Sequence, residues 1–153
     1  MTTTPGPGAQ HRAQQPTQEP TQQPAQHPTR DLAHGQAHKR ALGAYGEELA
    51  ARHLVAAGMV VLDRNWRGPA GEIDLVLREG STLVVCEVKT RSSDAFGTPQ
   101  EAVTQAKLGR LRRLAAQWVQ AHGVRVGDIR IDVVAVLRPR RGQATIEHVR
   151  GVS

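Results

Sequence analysis

The sequence predicts a mixed α/β fold in the order helix, three-strand meander, helix, two strands. Three observations predict it. Residues 39–57 and 99–122 repeat apolar side chains at three- and four-residue spacing. Residues 72–90 alternate and then run apolar. The joints between these stretches are short and built from Gly, Pro and Ser. At 153 residues the chain suffices for one ordinary domain.

Residues 1–38 stand outside this pattern. They hold six of the nine prolines, eight glutamines, six threonines and four of the seven histidines, with Leu32 the only large aliphatic besides Met1. Such a segment buries too little apolar area to offset its conformational entropy, which predicts a disordered tail ahead of a domain over 39–153. The tail is neutral, Arg12 and Arg30 against Glu19 and Asp31, so the whole net charge of +6 falls in residues 39–153, where eighteen basic side chains face twelve acidic ones.

Within the domain, Leu42, Tyr45, Leu49 and Leu54 mark a helix over 39–57, with Gly58 placed as its C-cap. A β-branched run over 59–65 reads as a strand, and 67–71 as a turn. Over 72–78, Ile73, Leu75 and Leu77 alternate with Asp74 and Val76, predicting opposite faces. After a turn at 79–81, residues 82–90 are almost continuously apolar, as in a central strand covered on both sides. A loop follows over 92–98. Pro99 opens a helix that runs to about His122, with Val103, Ala106, Leu111, Leu114 and Trp118 on one stripe and Gly123 as its stop. Its other side carries Lys107, Arg110 and Arg113 at successive threes, plus Arg112. Strands over 128–137 and 145–149 complete the order, joined by a basic turn at 139–142.

Several classes are excluded. No basic start followed by an apolar core marks a secretory signal, and no amphipathic Arg/Ser pattern marks a transit peptide. Nowhere do eighteen apolar residues run together, so no transmembrane helix and no membrane partner are expected, and a cytoplasmic location is. The single cysteine, Cys86, excludes a disulfide framework and any Cys-based zinc site.

The informative residues are charges inside apolar strands. Glu87 and Lys89, two apart in a strand, must share a face. Alone they are equally well explained as a solvent-facing ion pair. Asp74, flanked by Ile73 and Leu75, changes the weighing: in a hairpin of 72–78 with 82–90 it lies at the same end as Glu87. Like charges meeting across strands repel unless a cation sits between them, and hard oxygen donors favour Mg²⁺ or Mn²⁺. Asp74 and Glu87 holding a metal that activates water, with Lys89 stabilising developing charge, form the parts list of phosphodiester hydrolysis. The row Lys107, Arg110 and Arg113 would grip a nucleic-acid backbone, although any one basic row can be a solvated helix face.

Three motifs then carry a resemblance. Gly43-Ala44-Tyr45-Gly46-Glu47, Gly71-Glu72-Ile73-Asp74-Leu75-Val76 and Cys86-Glu87-Val88-Lys89-Thr90-Arg91 resemble the YraN family of small uncharacterised proteins, which is similar to the PD-(D/E)XK nuclease superfamily and its Holliday-junction-resolvase-like branch. The resemblance covers nearly all of residues 39–150 and none of the tail. It implies a restriction-endonuclease-like three-layer core around a mixed sheet, with Asp74, Glu87 and Lys89 catalytic. It implies Glu47 as a helix-borne acid completing the metal site with Asp74 and Glu87. Gln105 and Lys107 would begin the second helix facing the site, and Arg91 would join the nucleic-acid contacts. DNA rather than RNA, and a homodimer, are its implied partners.

Other residues divide between two readings each. Glu72 is a further ligand or a strand-start charge in water; Asp132 a buried structural acid or an edge charge; Trp66 a base-stacking ring or a loop anchor. His53, His122 and His148 lack ligand spacing and read as surface or satisfied histidines, and Cys86 as a small buried apolar group. Function divides as well. A Mg²⁺-dependent nuclease acting on DNA, branched or single-strand-containing forms included, stands against a non-catalytic nucleic-acid-binding or adaptor module on the same fold. A third role, recruitment of a protein partner, would belong to the tail.

Overall fold

In the computed structural model, residues 1–4, 28–92 and 103–153 are described. The elements are helix α1 (Pro28–Ala56), strands β1 (Val60–Gly68), β2 (Gly71–Glu79) and β3 (Thr82–Arg91), helix α2 (Gln105–His122), and strands β4 (Asp128–Leu137) and β5 (Thr145–Val149). The expected order is therefore found. One five-stranded sheet runs β1-β2-β3-β4-β5, with β3 and β4 parallel and every other pair antiparallel. The parallel pair is possible because α2 makes the crossover between its strands.

Two apolar clusters make the molecule three-layered. On one sheet face Ala50, Ala51 and Leu54 of α1 pack on Leu75, Leu77, Val84 and Val134; on the other, Leu108, Leu111, Leu114 and Trp118 of α2 pack on Ile73, Val76, Val85 and Ile131. Central β3 serves both clusters, which is why five of its residues in succession, 83–87, are buried.

Boundaries and faces differ from the expectation in four places. Helix α1 begins at Pro28 rather than Lys39, and residues 33–41 are all exposed, so that stretch adds nothing to the core. Strand β1 continues through Trp66 and Arg67 to Gly68, because both residues pair with β2, and the turn shrinks to Pro69 and Ala70. Helix α2 begins at Gln105. Thr104 is extended (φ −75°, ψ 159°) and its hydroxyl accepts the Lys107 N–H at 3.2 Å, an N-cap worth about 1 kcal/mol. The buried stripe accordingly runs through Leu108, and Ala106 is exposed. Finally, Ile73 and Leu75 do not share a face: Ile73 enters the α2 cluster and Leu75 the α1 cluster. The alternation of β2 breaks at Asp74. Pro99, most of the preceding loop, and tail residues 5–27 lie outside the described residues.

Candidate active site

Strand β3 supplies the first pair. Glu87 is 7% exposed, and Lys89 Nζ lies 2.9 Å from its Oε1. The Lys107 ammonium from α2 bonds the same oxygen. Burying this carboxylate alone would cost several kcal/mol, and two ammoniums on one oxygen offset that. Burial holds Lys107 below the usual lysine pKa, against the pull of Glu87; burial also acts to lower Lys89, but the Glu87 carboxylate holds it above the usual value. Lys107 therefore does not belong to an outward basic row. Its position at the capped first turn of α2 turns it inward onto Glu87.

Asp74 joins from β2. The β2–β3 ladder ends at Leu75 paired with Cys86, and beyond it Asp74 Oδ2 accepts the Val88 N–H at 2.7 Å. Its pKa is raised from 3.8 to about 6, first by burial, then by the charge of Glu87 and more weakly that of Glu47, with the Val88 N–H opposing. The carboxylates thus feel one another across three elements.

Glu47 comes from α1, brought close by its neighbour. Gly46 is buried against Thr90, so near that any Cβ there would overlap the Thr90 hydroxyl. A helix can approach a strand that closely only with glycine at the contact. Glu47 Oε2 then accepts a hydrogen bond from Asn65 Nδ2 at 3.1 Å.

The remaining nucleic-acid-contact candidates scatter. Arg110 and Arg113 are exposed on α2, Arg110 laying its stem near Gly71. Arg91 ends β3, where its carbonyl accepts the Arg138 N–H at 2.8 Å. Gln105 is the exposed first residue of α2.

The donor chemistry suits a hard divalent cation: three carboxylates from α1, β2 and β3, one with its pKa pushed up by burial and then by the other two. The cage is not ready-made. Among the described residues no three acids, histidines or cysteines close around a point that would hold a metal, and Lys107 and Lys89 occupy one oxygen of Glu87.

A sequence model of the uncharacterised protein family UPF0102 matches residues 46–136, a span that begins at Gly46 and takes in Glu47, Asp74, Glu87, Lys89 and Lys107. The chain belongs to UPF0102. A UPF0102 protein of Nocardioides sp. is 69% identical over 116 residues, covering 76% of this chain and 94% of that protein. One of Beutenbergia cavernae is 62% identical over 74% of this chain and 97% of its own length. One of Streptomyces coelicolor is 59% identical over 74% and 88% respectively. Each of these is named only as a UPF0102 protein, so membership in UPF0102 assigns the family and not a reaction.

The other candidates of this UPF0102 chain resolve as structural. Glu72 pairs with exposed Arg67 at 3.1 Å, the strand-start reading. Trp66 lies over Gly68 and packs into the α2 cluster, which makes it a loop anchor. Asp132, fully buried, takes a forked bond from Arg130 (2.8 and 3.0 Å) and meets His148 Nε2 at 2.9 Å. His122 stacks on Trp118 at 4.1 Å, His53 meets His148 edge-on at 6.1 Å, and Cys86 is buried in the α1 cluster. Sequence reasoning missed Asn65. Its only signal is a polar residue closing a β-branched run.

Among the described residues no helix is long and apolar enough to cross a membrane.

Proposed function

We propose that this UPF0102 protein is a metal-dependent, nuclease-like enzyme that hydrolyses phosphodiester bonds in DNA, branched or single-strand-containing DNA included. The observation that supports it most is that Glu47 and Glu87, from two other elements, both act electrostatically on buried Asp74, beside Lys89. In this reading the three carboxylates hold Mg²⁺ or Mn²⁺, which when bound supplies Lewis acidity and a water of lowered pKa. Lys89 stabilises charge on the phosphate. Arg110, Arg113, Arg91 and Gln105 contact the nucleic acid around it. Purified protein with Mg²⁺ or Mn²⁺ is expected to cut at least one of duplex, flap, junction or single-stranded DNA, and Asp74→Ala and Glu87→Ala to abolish the cutting. No cutting of any of the four, or cutting that survives Asp74→Ala, sinks the proposal.

One observation favours a second reading, a non-catalytic nucleic-acid-binding module: the two lysines already balance Glu87 without a metal. That module would bind DNA with steep salt dependence and indifference to Mn²⁺.

A further inference from the structure

We propose that Asn65 is a positioning residue, a strained strand asparagine whose amide holds Glu47 at the acid cluster. The inference rests on the metal-dependent reading above.

Asn65 sits in the middle of β1 with φ +50°; among the described non-glycine residues only Thr2, near the chain start, also has positive φ. Such backbone persists where its surroundings over-determine it, and it gathers at functional sites. No turn demands it here, since the chain reverses at Pro69 and Ala70, and the register shift of β1 lies elsewhere, between Val61 and Asp63. Arg64 pairs with Leu75 and Trp66 with Ile73, so Asn65 stands opposite Asp74, where the alternation of β2 also breaks.

The left-handed turn has a geometric result. In a regular strand, neighbouring side chains point to opposite faces. Arg64 and Asn65 instead both reach α1: Arg64 Nη1 lies 2.8 Å from Glu48 Oε2, and Asn65 Nδ2 3.1 Å from Glu47 Oε2. Glycine would serve the backbone better than any other residue. What asparagine adds is the amide, and the amide is on Glu47.

The test uses the full chain and two readouts: calorimetric titration with Mn²⁺, and the melting temperature. Asn65→Gly permits the same backbone, so its Tm is expected to stay within about 2 °C of wild type. Its Mn²⁺ affinity is expected to fall roughly 10-fold or more, as for other residues that orient a metal ligand. On a Glu47→Ala background, Asn65→Gly should add no further loss, because the bond it removes would have no ligand to position. Affinity within about two-fold of wild type, a loss repeated in full on the Glu47→Ala background, or a large fall in Tm overturns the inference while leaving the metal reading in place. Failure of the wild type itself to bind Mn²⁺ overturns both.

Discussion

Asp74 is ionised at neutral pH against the preference of its surroundings. With its pKa raised from 3.8 to about 6 by burial and by Glu87, the folded state binds a proton more tightly than the unfolded chain does. The associated stability is therefore fully present below about pH 4 and lost as pH rises through about 6. Asp74→Asn keeps an oxygen for the Val88 N–H and removes the repulsion. It should raise unfolding free energy by about 2–3 kcal/mol at pH 7.5, with the gain fading near pH 4, as read by urea unfolding at the two pH values. A residue that destabilises the fold in its working ionisation state is the pattern expected of a functional group. Asp74, Glu87 and Lys89 were legible in the sequence because a charge inside an apolar strand breaks a pattern of period two. Glu47 was legible only through resemblance, since one acid on a helix breaks no pattern. Asn65 was not legible: asparagine adopts left-handed backbone more readily than most residues, but nothing in the run of strand residues marks that it does so here.

Helix α2 separates two kinds of basic residue that its sequence spacing groups together. Lys107, at the capped first turn, faces Glu87, whereas Arg110 and Arg113 face solvent. Helical phase says which residues share a stripe. It does not say how the helix is rotated over the sheet, and here Leu108, Leu111 and Leu114 set that rotation. The same limit explains Ile73: the period of β2 was readable, but the break at Asp74 depends on its partners β1 and β3. Element order and both C-terminal strands, by contrast, were readable from turns and periodicity alone. The division within α2 has a measurable outcome. For duplex DNA, the double variant Arg110→Ala/Arg113→Ala should flatten the slope of log affinity against log salt by about 2, roughly one for each phosphate no longer neutralised. Its Mn²⁺ affinity should stay unchanged. An unaltered salt slope would remove these two arginines from the proposed nucleic-acid contacts.

The whole molecule is tied together away from the acid cluster by Asp132. Arg130 forks onto it and also reaches Glu79 of β2, His148 meets it from β5, and the Gly151 N–H bonds it at 3.0 Å, so one buried carboxylate joins three strands and the C-terminal segment. Burial pushes its pKa up, but Arg130, Gly151 and His148 together outweigh this and hold it below the ordinary 3.8. Its contribution is thus complete above about pH 4 and lost as pH falls further. Asp132→Ala should cost about 3 kcal/mol or more, a fall in Tm of roughly 10 °C at pH 7, without touching Glu47, Asp74 or Glu87. At the other cluster, the two ammoniums on Glu87 carry a different consequence. Three carboxylates against two lysines leave that pocket one negative charge, which repels a phosphodiester. On the proposed function, a divalent cation would reverse its sign to one positive, so electrostatics would favour the metal arriving first and the nucleic acid after it.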